Sequence, residues 1–91
     1  MRHVVFGIFD GAASAYLPPF MLPRAEMARR AFADLVNQKG HQFNEHTADY
    51  SLYELGNFDD ATGVYENALP GPRLICLGAS LKNLDISNDP A

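Results

Sequence analysis

The sequence predicts an α+β fold, an antiparallel sheet of four to five strands with one amphipathic helix packed on one face. Three observations predict it. Two runs, Arg2 to Phe9, rich in β-branched and aromatic residues, and Tyr50 to Phe58, with aromatic and aliphatic ones, each lead into turn-forming Asp and Gly residues. One stretch, Pro23 to Lys39, repeats its apolar residues at helical spacing. The chain has 91 residues, 47% of them hydrophobic, which suits one compact core and not two.

Arg2 to Phe9 is apolar on both alternating faces, with Val4, Phe6 and Ile8 on one side and Val5 and Phe9 on the other, as an interior strand requires. Asp10-Gly11 turns the chain. Ala15 to Leu22 then returns with Pro18 and Pro19 inside it, which restricts it to an edge strand or extended arm. Pro23 suits the first helical position, where its missing N–H has no intrahelical partner to lose. Met27, Ala28, Ala31, Phe32, Leu35 and Val36 form the apolar stripe of the helix, and Gly40 supplies a left-handed stop.

His41 to Ala48 has no clean period and reads as a loop. Tyr50 to Phe58 reads as a strand in which Gly56 marks a bulge or a close backbone approach. Asp59 to Gly63 closes a hairpin: Asp59 can accept from the backbone ahead of it, and Gly63 can take positive φ. Val64 to Asn67 is the returning strand. After Pro70-Gly71-Pro72, Arg73 to Gly78 is apolar on both faces through Leu74 to Leu77 and reads as a second interior strand. The domain is expected to span residues 1–80, with 81–91 a polar, flexible tail.

Charge is unevenly distributed. Net charge is −4, yet residues 1–39 carry five cations against three acids (+2), and residues 40–91 two against eight (−6). An acidic whole opposes strong non-specific nucleic-acid binding, which needs several phosphate contacts, so any polyanion contact belongs to the amino-terminal half. Cys76, the single cysteine, excludes an intramolecular disulfide and a cysteine-based zinc cluster. No segment approaches the roughly 20 apolar residues of a membrane span, so a cytosolic protein is expected.

Candidate chemistry is sparse. His41, His46 and Asp49, with Asp59 and Asp60 at a distance, lack the spacing of a helical zinc pair or a finger, so no metal is expected. Asp59 and Asp60 are adjacent and diverge, which suits a turn better than an acid–base pair, and neither Ser14, Ser51 nor Cys76 lies in a nucleophile motif. Neither catalysis nor a cofactor is expected; no phosphate loop is present. The remaining candidate is a nucleic-acid surface, with Arg2, Arg24, Arg29 and Arg30 for phosphates and Tyr16 and Phe20 for stacking on bases.

Three blocks, AYLPPFMLP (15–23), RRAFADLVN (29–37) and HTADYSLYELGNFDDATG (46–63), together resemble the small nonstructural protein of gokushovirus-type microviruses, bacteriophages with single-stranded DNA genomes. The resemblance extends over roughly residues 3 to 78, and its most specific residues, Tyr50, Tyr53, Gly56, Phe58, Asp59 and Gly63, are of hairpin-forming type. It implies a non-capsid accessory protein made in the host cytoplasm and linked to viral DNA replication or progeny single-strand synthesis. The implied partners are single-stranded DNA or, for an adaptor, the phage replication initiator or a host replication protein. Apolar residues on both faces of two strands also leave room for a homodimer.

Overall fold

Two long antiparallel strands, β1 (Arg2–Asp10) and β4 (Tyr50–Asp59), pair along their whole length and form the middle of one sheet. The structure, a computed structural model, describes residues 1–82. Each central strand is followed by a tight turn and a returning edge that prolines break in two. Beside β1 lie β2 (Ala15–Tyr16) and β3 (Phe20–Leu22), interrupted at Pro18-Pro19. Beside β4 lie β5 (Val64–Asn67) and β6 (Arg73–Leu77), interrupted around Pro70-Gly71-Pro72. The result is a sheet of six strands in four lanes, where the sequence predicted four or five: proline lacks the N–H that would have kept each edge continuous.

β1 is interior, as predicted. β6 is not: among the described residues it pairs with β4 alone, and its apolar Leu74 and Leu77 are half exposed. Gly78, predicted to end that strand, begins a short helix, α3 (Gly78–Leu81).

The long helix α1 (Ala25–Val36) packs on one face of the sheet through Ala28, Phe32 and Val36, spaced at four residues. With Phe6, Ile8, Phe43, Tyr50, Leu52 and Cys76 these build the core. Met27 and Ala31, expected on the stripe, are exposed, so the buried face is narrower than predicted. The helix is also shorter than Pro23 to Lys39. Arg24, extended at φ −143, is its N-cap, which puts Pro23 outside the helix. At the other end the Asn37 amide donates to the Ala33 carbonyl (2.8 Å) and to the Leu81 carbonyl (3.0 Å), closing the helix by a tertiary contact. Gly40 does take positive φ (+91), but in the following turn, where the His41 N–H reaches the Gln38 carbonyl at 3.0 Å.

The stretch predicted as a loop is ordered in short pieces, a single-turn helix α2 (Gln42–Glu45) and a 3-10 turn at Thr47–Asp49. Phe43, inside α2, is buried between Phe32 and Tyr50, and that burial supplies the order the local sequence does not announce. α3 (Gly78–Leu81) seats Leu81 against the core, so Leu81 belongs to the domain and not to the tail assigned from residue 81 onward. The remainder of that predicted tail, residues 83–91, lies outside the described residues.

Candidate nucleic-acid interface

The helix that covers the sheet presents its outer side to solvent; two of the four candidate arginines, Arg29 and Arg30, are in it, and a third, Arg24, is its N-cap. Arg29 and Arg30 are adjacent and exposed, and neither forms an ion pair among the described residues. The Arg29 guanidinium donates a long hydrogen bond, 3.4 Å, to the carbonyl of Ile75. That carbonyl is available because Ile75 is the extra residue where the β4–β6 register shifts: Leu52 faces Cys76, yet Tyr53 faces Leu74. Arg24 pairs with Glu26 at 3.2 Å, both well exposed, an arrangement that contributes about 0–1 kcal/mol and exchanges readily.

The other three candidates are elsewhere. Arg2 begins β1 and is committed at 2.6 Å to both the Asn57 side chain and Glu66. Phe20 sits opposite Phe6 on the helix-covered face, ring centroids 5.7 Å apart, and contributes to the core margin. Tyr16 sits opposite Phe9 on the uncovered face, packed edge-on against Phe9 (5.0 Å) and Tyr53 (5.6 Å). Burial of its ring, and secondarily Tyr53, raise the Tyr16 pKa above 10.0. The six-residue surface expected from sequence therefore does not assemble. Its surviving part is Arg24, Arg29 and Arg30 on α1, without a stacking aromatic from the predicted set.

The hairpin motif is built as its residue types require. The Asp59 carboxylate accepts from the Ala61 N–H (2.9 Å), the Asp59 carbonyl accepts from the Gly63 N–H (2.7 Å), and Gly63 sits at φ +77. Gly56 adjoins the bulge at Leu55, where Val5 faces Gly56 but Phe6 faces Glu54. A Cβ at Gly56 would land on the Glu66 carbonyl oxygen, so the close approach of β5 excludes any side chain there. Phe58 faces Tyr65 across the hairpin. Tyr50 is buried against Phe43, and burial, then the charges of Asp10 and Asp49, raise its pKa. These residues hold the sheet, and Tyr53 packs edge-on against Phe9 and Tyr16 on the uncovered face.

A family model described as Phage ORF5 protein matches residues 3–81, from the start of β1 to the last residue of α3. The chain belongs to that family. It is a small bacteriophage protein, in keeping with the resemblance carried by the three sequence blocks. No curated protein and no solved structure matches it.

The histidines and acids singled out in the sequence, His41, His46, Asp49, Asp59 and Asp60, are not grouped to hold a metal in this phage protein. His41 caps α2, its Nδ1 accepting from the Phe43 N–H at 3.0 Å. Asp60 meets His3 (2.8 Å) and the Met1 ammonium (2.7 Å). Among the described residues no three His, Cys, Asp or Glu side chains are grouped to hold a metal. Burial raises the Cys76 thiol pKa, with Arg29 opposing, so the thiolate is disfavoured. No described helix is long and apolar enough to cross a membrane.

Sequence reasoning missed the surface opposite the helices. The Phe9, Tyr16 and Tyr53 rings cluster there in edge-to-face contact. Its signal was the second apolar face of β1, Val5 and Phe9, which sequence alone assigned to an interior strand without naming what it faces.

Proposed function

We propose that this chain is a non-enzymatic accessory protein of a gokushovirus-type single-stranded DNA bacteriophage. It acts in the host cytoplasm, in viral DNA replication or progeny single-strand synthesis, and contacts single-stranded DNA through the outer side of α1. The observation that carries the DNA contact is the adjacent pair Arg29 and Arg30, exposed and without an ion-pair partner among the described residues. The acids Glu54, Asp60 and Glu66, by contrast, are each answered by a cation of the chain itself, namely Arg73, the Met1 ammonium and Arg2. Local cation availability on α1 thus exceeds what the net charge suggests.

Fluorescence-anisotropy titration of labelled single-stranded DNA at several salt concentrations tests this reading. The wild type is expected to bind at micromolar protein, and Arg29→Ala with Arg30→Ala to weaken binding and flatten the salt slope by about 0.7 for each phosphate no longer neutralised. Absence of salt-dependent binding by the wild type defeats the DNA contact. The competing reading is an adaptor for the phage replication initiator or a host replication protein, motivated by the acidic carboxy-terminal half. Its support is weaker because four of those acids, Glu54, Asp59, Asp60 and Glu66, are already within ion-pair distance of a cation of the chain. Pull-down from infected cells that recovers such a protein after nuclease treatment would favour the adaptor.

A further inference from the structure

We propose that the uncovered face of the sheet is a docking surface for a second copy of this chain, the two sheets stacking face to face. The inference is independent of the α1 reading. It starts from where the strands put their charges. Arg2 and Asp59 face one another, Glu54 faces Phe6 and Arg73, Glu66 faces Asn57, and Asp10 faces Tyr50. Alternation along β1 assigns all six of these residues to the side of Val4, Phe6 and Ile8, the side the helices cover. Every Lys, Arg, Asp and Glu within the six strands is therefore on the helix side; on the uncovered side His3, which faces Phe58, meets the Asp60 carboxylate at one end of the sheet.

A sheet with one face in water ordinarily alternates apolar inward and polar outward. Here the uncovered register of the central strands carries Val5, Phe9, Tyr53, Leu55 and Phe58 with Gly7 and Gly56 between them, and its polar members are His3 and Ser51 towards the two ends. The edges add Tyr16, Met21, Tyr65, Leu74 and Leu77, each 41–52% exposed. Between Tyr16 and Tyr65 the surface dips into a groove of about 480 Å³ rimmed by Leu69, which is 80% exposed. That is the patterning of a buried face, and contiguous apolar surface on this scale marks an interaction site.

Two arguments select a second copy. Homodimer interfaces are the more apolar class, with charged residues depleted at their centre, and a sheet face to which the strands contribute no Lys, Arg, Asp or Glu fits that class. The size also fits: four lanes about 4.8 Å apart and nine residues rising about 3.3 Å each give a flat footprint of roughly 600 Å². Side-chain relief brings this near the ~800 Å² that each partner contributes to a standard interface. Phosphate-bearing ligands are disfavoured because the strands place no Lys or Arg on this face, and the His3 ring at its end is taken up by Asp60. Residues 83–91 hold two large apolar side chains, Leu84 and Ile86, too few to cover that area.

Sedimentation equilibrium of the full chain across a concentration series, from about 1 to 100 µM, tests the proposal. Wild type is expected to sediment at twice the chain mass in the upper part of that range. Met21→Lys and Leu74→Asp, placed at half-exposed positions so that the monomer still folds, should each weaken dimerisation at least tenfold. Met27→Lys, on the outer side of α1, should leave it unchanged. Circular dichroism verifies folding of each variant. Wild type that stays monomeric at 100 µM overturns the proposal, and so does a dimer that folded Met21→Lys and Leu74→Asp leave intact or that Met27→Lys disrupts.

Discussion

The Tyr65 hydroxyl lies 2.8 Å from the point a Cβ on Gly56 would occupy, and donates at 3.2 Å to the carbonyl of Leu55. The bulge turns that carbonyl outward, where it also accepts from the Ala68 N–H at 2.9 Å. Gly56, Leu55 and Tyr65 therefore form one device: the glycine lets β5 close in, and the ring secures the distorted backbone.

Gly56→Ala is accordingly expected to destabilise the chain by about 2 kcal/mol, the cost of forcing apart a packed backbone contact. Urea unfolding should show a lower midpoint with an unchanged slope. Tyr65→Phe, which keeps the ring but removes one exposed hydrogen bond, should cost about 1 kcal/mol or less. Equal losses from the two substitutions would show that the close approach is not what requires glycine.

Phe32 is 1% exposed and meets Phe43 edge-on at 5.6 Å between ring centroids, beneath Gly78 at the start of α3. Removing its ring leaves a cavity where α1, α2 and α3 converge on the sheet. Phe32→Ala should cost about 3–5 kcal/mol, a large part of the stability of a domain this size. Thermal unfolding followed by circular dichroism measures it; a loss under 1 kcal/mol would mean the convergence point is not the core.

The features legible in the sequence are those decided locally. The Asp59–Gly63 turn follows from the carboxylate of one residue and the positive φ of another, four positions apart. The central strands follow from alternation. The end of α1 is not legible in this way, because Asn37 is held by Leu81, 44 positions away. The candidate site fails for a reason of register. Tyr16 and Phe20 share parity and would share a face on an unbroken strand. Tyr16 faces Phe9 and Phe20 faces Phe6, so the Pro18-Pro19 break inserts one residue and sends the two rings to opposite sides of the sheet. Arg2 is diverted from the site because Glu66, 64 positions on, is brought beside it by the hairpin.

At the Arg2 end of the sheet, the Asp60 carboxylate receives the Met1 ammonium at 2.7 Å and the His3 ring at 2.8 Å. The hydrogen bond from the ammonium, then the one from His3, holds the Asp60 pKa below its ordinary value of 3.8. Reciprocally, Asp60 raises the amine above its ordinary 8.0. A depressed carboxyl stabilises the fold above its unfolded pKa and loses that contribution as pH falls through the folded value. A raised amine contributes below 8.0 and loses it as pH rises through its own folded value. The contact is thus at full strength between about pH 4 and 8 and weakens on both sides. Both groups are in solvent, so the effect is small and 1 M salt should diminish it. In a chain with a free amino terminus, Asp60→Asn should lower the amine's titration towards its ordinary value, with Asp59 at 3.8 Å still raising it, as followed by NMR. An amine that titrates at the same pH in both proteins would show that the Met1–Asp60 contact does not persist in solution.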